Sequence, residues 1–249
     1  MKRSSGGRIL AHHQAMAFAV SFPLFLTVLF GCREQIPTAP APQAVNLQFK
    51  LPLNSYYTFD NWFLYPDGSH IPGSEYRTSW KVADTAAVAI GYPGVTDVVE
   101  STFAASASGS DSLVGIGHRY FRTDSKGDVF EYDLIARLFQ SRDSIQADPQ
   151  WDRILSPSAG VNVFWTVETS DSPAVGTIEG RFLPQPETLE DSLNGIAKGV
   201  LAYHTELSGV NLTLGIWVGG SPPAILRTWD QSDVLFNRIY QELRARRTE

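Results

Sequence analysis

The sequence predicts a mainly β protein: an antiparallel curved sheet, a sandwich or a partial barrel, with a C-terminal helix as one reading of residues 232–247. Three observations point there. Short apolar runs recur between residues 45 and 218 at strand length, several of them alternating apolar with polar residues. Clusters of Gly, Pro, Asp and Ser separate these runs. The chain is 43% hydrophobic and 12% aromatic, the composition of a packed domain rather than a disordered one.

The first run alternates strictly. Val45, Leu47, Phe49 and Leu51 are separated by Asn46, Gln48 and Lys50, the pattern of a half-buried strand. Tyr56 to Tyr65 is densely aromatic and ends at Pro66-Asp67-Gly68, a turn signal. Further strands are expected at Glu75 to Val82 and Asp97 to Ala105. Leu113 to Thr123 and Val129 to Phe139 flank Asp124-Ser125-Lys126-Gly127-Asp128, which reads as a hairpin with a bulged or longer loop. Gln140 to Pro149 is polar and reads as a loop. Strands follow at Val161 to Thr169, Thr177 to Leu183, Ile196 to Glu206 and Asn211 to Val218. At the end, Leu235, Phe236, Ile239, Tyr240 and Leu243 fit one helical face, with Ser232 as N-cap. The same residues could form a last strand; the helical period is favoured.

The stretch before this domain is of another kind. Lys2, Arg3 and Arg8 precede an apolar run from Ala15 to Phe30, and no Asp or Glu occurs before Glu34. The run ends at Leu29-Phe30-Gly31-Cys32, which holds the one cysteine of the chain. This is the order of a secretory signal. It resembles the signal peptide of bacterial lipoproteins, whose lipobox reads Leu, a small residue, Gly or Ala, then Cys. Leu29, Gly31 and Cys32 match; Phe30 departs, since a small residue is usual there. The resemblance implies diacylglyceryl transfer to the Cys32 thiol, cleavage before Cys32 and acylation of the new amine. Two or more acyl chains anchor stably, at about 0.8 kcal/mol per buried CH2.

An uncleaved membrane helix competes with this reading, since Gln14 to Cys32 carries no charge. So does an ordinary cleaved signal. Pro23 and the small residue before a lone Cys argue for the lipoprotein. The organisation expected is a signal peptide over 1–31, a Pro-rich tether over 32–43 and one β-rich domain over 44–249. Pro37, Pro40 and Pro42 make that tether an extended, semi-rigid spacer. In enteric bacteria an Asp after the Cys favours inner-membrane retention, so by resemblance Arg33 points to the outer membrane, facing the periplasm.

Charge and motifs exclude more than they select. Three of the 20 basic residues precede Cys32, which leaves 17 against 26 acidic ones and a net charge of −9. That disfavours nucleic acid as a partner. His70, His118 and His204 show no H-x-x-x-H spacing, so no metal ligand set is read. No G-x-S-x-G elbow occurs and no cofactor motif is read. Asp124, Asp128 and Glu131 converge on one hairpin; the turn preferences of Asp and Gly favour a solvated turn over a cation site.

No catalytic residue is therefore assigned. Ser, His and Asp all occur, so a hydrolase with an unrecognised site stays as one alternative, with a polar cleft at His118 or His204 as its mark. Many short strands, aromatic content and acidic charge look somewhat like the half-barrel carriers of the lipoprotein-sorting family. The function expected is a non-enzymatic envelope lipoprotein, held to the membrane at Cys32, that binds an apolar ligand or an envelope protein. A structural or assembly component of the envelope is the other alternative. The candidate ligand-binding residues are Trp62, Tyr56 and Leu64, which strand alternation puts on one face.

Overall fold

The computed structural model describes residues 42–104, 111–143, 149–169, 175–191, 198–232 and 238–248. Cys32 and the rest of 1–41 lie outside them. Five strands and a helix fill the first half: β1 (Ser55–Leu64), β2 (Tyr76–Ala89), β3 (Tyr92–Ala104), β4 (Ser112–Thr123), β5 (Val129–Tyr132) and α1 (Leu134–Asp143). Then come β6 (Trp151–Leu155), β7 (Trp165–Thr169), β8 (Thr177–Phe182), β9 (Glu187–Asp191) and β10 (Lys198–Gly209). The chain ends with β11 (Leu212–Gly219), β12 (Ala224–Ser232) and β13 (Arg238–Thr248).

Among the described residues, thirteen strands join one antiparallel sheet. Its order is β6-β5-β4-β3-β2-β1-β13-β12-β11-β10-β8-β7, with β9 also on β10. Two meanders are thus sewn together where β1 pairs with β13, Ser55 opposite Thr248 and Trp62 opposite Tyr240. The sheet curls so that its end strands approach. Trp165 of β7 donates its Nε1 to the Arg153 carbonyl of β6 at 2.9 Å. The result is a nearly closed antiparallel barrel.

Alternation along each strand sorts its side chains into inner and outer sets. Tyr57, Phe59, Trp80, Val82, Val98 and Phe121 point in and are fully buried, as are Phe182 and Leu207 from the other half. Phe59 and Trp80 rings lie 4.7 Å apart, within the range where aromatic pairs add to plain burial.

Four regions differ from the sequence expectation. The Val45 to Leu51 segment forms no strand. Its alternation is real as burial: Val45, Leu47 and Leu51 join the core, and Phe49 packs 5.9 Å from Phe121. Its backbone ties to the rest of the fold are single: Lys50 N–H to Pro223 O at 3.3 Å, and just before it Val161 N–H to Gln43 O at 2.9 Å. The second hairpin arm stops at Tyr132. Asp133 takes a φ of 59°, and the apolar run beyond it turns into α1. Asp152 accepts the Ile135 N–H at 2.9 Å and so satisfies a first-turn donor. The last segment is strand β13, not a helix, because ladders from β1 and β12 flank it on both sides; Leu235 and Phe236 lie outside the described residues. Strands β6, β9 and β12 are additional to those read from sequence.

The hairpin loop is confirmed. Gly127 has a φ of 87°, and Asp124 Oδ1 accepts the Lys126 and Asp128 N–H groups at 2.9 and 3.0 Å. The loop is not wholly solvated. Asp128 is buried and accepts from Ser156 Oγ at 3.0 Å and Ser158 Oγ at 2.8 Å.

Candidate functional site

The inward side chains leave a cavity of about 310 Å³. At about 30 Å³ of liquid per water, that is space for roughly ten waters. Its two sides differ in chemistry. One side is a charged row carried on adjacent strands. Arg119 of β4 grips Glu131 of β5 with both arms of its fork, Nε to Oε1 at 2.8 Å and Nη2 to Oε2 at 2.9 Å. Its Nη1 reaches Glu100 Oε2 of β3 at 3.2 Å. Trp80 Nε1 donates to that same Glu100 oxygen at 2.6 Å, and the Arg119 guanidinium lies 4.1 Å over the Trp80 ring. Arg137 of α1 also bonds Glu131, and its Nε donates to Asp133 O at 3.1 Å.

Burial alone would strip charge from these groups. It pulls Arg119 down, but Glu131 and Glu100 outweigh it and hold the guanidinium above its ordinary value. Glu100 is pushed up by burial, yet Arg119 and the Trp80 N–H leave it below the usual carboxylate range. Arg119 and Glu100 therefore keep their charges, each stabilised by its neighbours.

The opposite side is mostly apolar, Leu214 and Ile216 of β11, Ile225 of β12 and Ile239 of β13, but buried Asp230 of β12 sits among them, opposite Leu214 and Ile239. Leu138 of α1 adds an apolar side chain beside Arg137. Between the two sides runs an amide and hydroxyl network. Asn61 Nδ2 and Gln241 Nε2 both donate to Thr78 Oγ1, at 3.2 and 3.0 Å. Thr228 Oγ1 donates to Gln241 Oε1 at 3.4 Å. The space can seat a molecule with one polar end and an apolar remainder.

The residues picked from sequence lie elsewhere. Trp62, Tyr56 and Leu64 share the outer face of β1, as alternation requires. Trp62 is half-buried between Tyr240, 4.8 Å away, and the edge of His70. Tyr56 sits six residues away, about 20 Å along the strand, between Arg247 and Lys81. None of the three lines the cavity. Trp62 instead begins an outer band that runs to Tyr240 and Trp229, which covers Gly215, and steps diagonally to Trp217 and His204. Burial pushes the Tyr240 hydroxyl up to about 12.

The histidines are placed apart as well. His118 Nδ1 meets Asp97 at 2.8 Å on the exposed outer surface. His204 stacks on Trp217 at 3.8 Å, and burial, opposed by Glu187, lowers its pKa. Among the described residues no serine hydroxyl bonds either ring.

The charged row was not read from sequence, apart from Glu131 as a turn carboxylate. Parity could have found it. Phe121 and Val129 face inward, so Arg119 and Glu131, two residues away from each, must face inward too.

No family model matches the chain, and no curated protein matches it. Two solved structures resemble it. One is a Bacteroides fragilis protein, named as exported and with a YmcC-like fold, at a TM-score of 0.44 and 12% identity. That match covers 81% of this chain and 99% of the other. The second, from Parabacteroides distasonis and named as a lipoprotein, has a TM-score of 0.44 and 11% identity over 82% of this chain and 100% of its own.

Proposed function

We propose that this protein is a lipoprotein of the cell envelope, tethered at Cys32 to the outer membrane on its periplasmic side. Its barrel interior binds a small amphiphilic molecule without transforming it. The carrying observation is the cavity of about 310 Å³ with a charged, hydrogen-bonded row on one side and Leu214, Ile216, Ile225 and Ile239, interrupted by Asp230 and Thr228, on the other. Such a space rewards a ligand with a polar head and an apolar tail. The address rests on the Leu29 to Cys32 motif.

The binding test uses the cavity's own tryptophan. A brominated medium-chain fatty acid should quench Trp80 fluorescence in the native protein. Ile216→Trp should fill the cavity and abolish saturable binding while the far-ultraviolet spectrum stays native. Binding that survives in Ile216→Trp rules the cavity out. The address test is mass spectrometry of the mature N-terminus: Cys32 should carry acyl chains, and Cys32→Ala should give an unprocessed precursor. An unmodified Cys32 in exported protein rules the anchor out.

A second reading places an envelope partner on the outer band at Trp62, favoured by its half-exposed stacking on Tyr240. Trp62→Ala would then weaken partner binding and leave fatty-acid quenching intact.

A further inference from the structure

Among the described residues no backbone ladder joins the two end strands, β6 and β7. Side chains close that seam. The Trp165 indole bonded to Arg153 O is one tie. The other is a pair of acids, Asp152 of β6 and Glu168 of β7, exposed by only 1% and 2%, whose carboxyls lie within interaction distance across the β6–β7 contact. Asp152 already accepts the Ile135 N–H through Oδ2, while no protein donor reaches its buried Oδ1. Two carboxylates only accept, so they cannot hydrogen-bond each other; one shared proton supplies the donor and removes the repulsion.

Asp152 touches three parts of the molecule at once. It meets β7 across the seam and the first turn of α1, whose Leu134, Arg137 and Leu138 line the cavity. It also sits opposite Glu131 in the β5–β6 register, and Glu131 is the residue that holds Arg119 and Arg137.

We propose that the Asp152–Glu168 pair is a proton-operated latch on the barrel seam. With one proton shared, it holds β6 to β7 and seats α1 against the cavity; loss of that proton releases the seam and opens the cavity beside it.

The surrounding charges set where the latch works. Glu131 from β5 adds negative field at Asp152; Asp133 stands at the head of α1, beside Arg137. Arg119 from β4 and Arg137 from α1 are engaged by Glu131. Arg153, next in β6, approaches Asp128 at 3.9 Å instead. Burial, together with Glu168 and Glu131, raises Asp152 to about 8, against the pull of the Ile135 N–H. The proton is therefore held at neutral pH and lost just above it. The latch concerns closure of the barrel whatever fills it, so its test uses no ligand.

The test is amide hydrogen exchange of the full-length protein in detergent between pH 6.5 and 9.5, with rates corrected for intrinsic base catalysis. Protection of residues 131–138, 151–155 and 165–169 should fall by about tenfold or more between pH 7.5 and 9. The β1–β13 ladder should hold. Asp152→Asn can still accept from Ile135 and now donates to Glu168, so its protection should stay flat with pH. Glu168→Gln should behave likewise and decides the matter if Asp152→Asn does not fold. Wild-type protection that is flat with pH, or a pH-dependent loss retained in either variant, overturns the latch. Should neither variant fold, the wild-type profile decides: loss confined to the seam supports the proposal, and loss spread over the whole sheet overturns it.

Discussion

At the scale of single residues, close approach and buried charge govern the molecule. Gly180 of β8 lies under Trp165, where a Cβ would fall 2.5 Å from the indole ring. Gly180→Ala must push that ring and loosen its bond to Arg153 O. A loss of about 1–3 kcal/mol is expected from such overpacking, read as a lower urea midpoint at unchanged slope. An unchanged midpoint would show that the ring tilts away without resistance. Arg119 is the second sensitive position, because its removal leaves buried Glu131 with Arg137 alone and Glu100 with only the Trp80 N–H. Arg119→Met should cost about 3–5 kcal/mol, the usual penalty for breaking a buried pair. Arg119→Lys should restore only part of it, since an ammonium cannot reproduce the fork that spans Glu131 and Glu100. Full rescue by Lys would mean that charge alone, not geometry, holds the row.

At the scale of elements, the segment before β1 is the least regular part of the core and one of its ties. Val45, Leu47 and Leu51 are buried without a ladder to hold them. A chain starting at Leu51 should melt well below one starting at Pro42, since two buried aliphatic side chains contribute about 1.5–3 kcal/mol each. Equal melting points would show that this segment merely lies on the barrel. The same segment marks how far sequence reaches. Alternation located which of its residues are buried, because burial period follows from extended backbone whether or not a partner strand exists. It could not say that no partner strand exists. The apolar run at Leu134 to Leu138 misled for a related reason: a buried run of that length fits strand or helix alike. Asp133 at positive φ and Asp152, distant in sequence, decide for the helix. At β13 the helical period of Ile239, Tyr240 and Leu243 lost to two flanking ladders, the usual override of local preference by tertiary pairing. The charged row stayed hidden because each member looks like a surface residue alone and acquires its meaning only from neighbours on other strands.

At the scale of the whole molecule, the interior acid pair links stability to pH. Asp152 is raised to about 8, far above its ordinary carboxylate value. The folded state thus holds a proton that the unfolded chain releases near pH 4. Its contribution is fully present below that and is lost as pH climbs toward 8. His204 acts the other way: burial lowers it, so it favours the fold as pH rises toward its ordinary value. Above pH 7 that opposing effect is finished. Unfolding free energy should therefore decline between pH 7 and pH 9, and Asp152→Asn should flatten the decline. A wild-type curve level over that range would show that the pair is not protonated in the folded state.

The pairing of β1 with β13 has a consequence in time. Ser55 faces Thr248, so the ladder that joins the two meanders sets strands from opposite ends of the described chain side by side. Contacts of such long sequence separation form late and slowly. A nascent or translocating chain can make its local hairpins as they emerge, yet β1 waits for β13 with one edge bare. Any helper that shields exposed strand edges during biogenesis has its longest task there, and a polypeptide released before Arg238 would keep that edge open and stick to others of its kind.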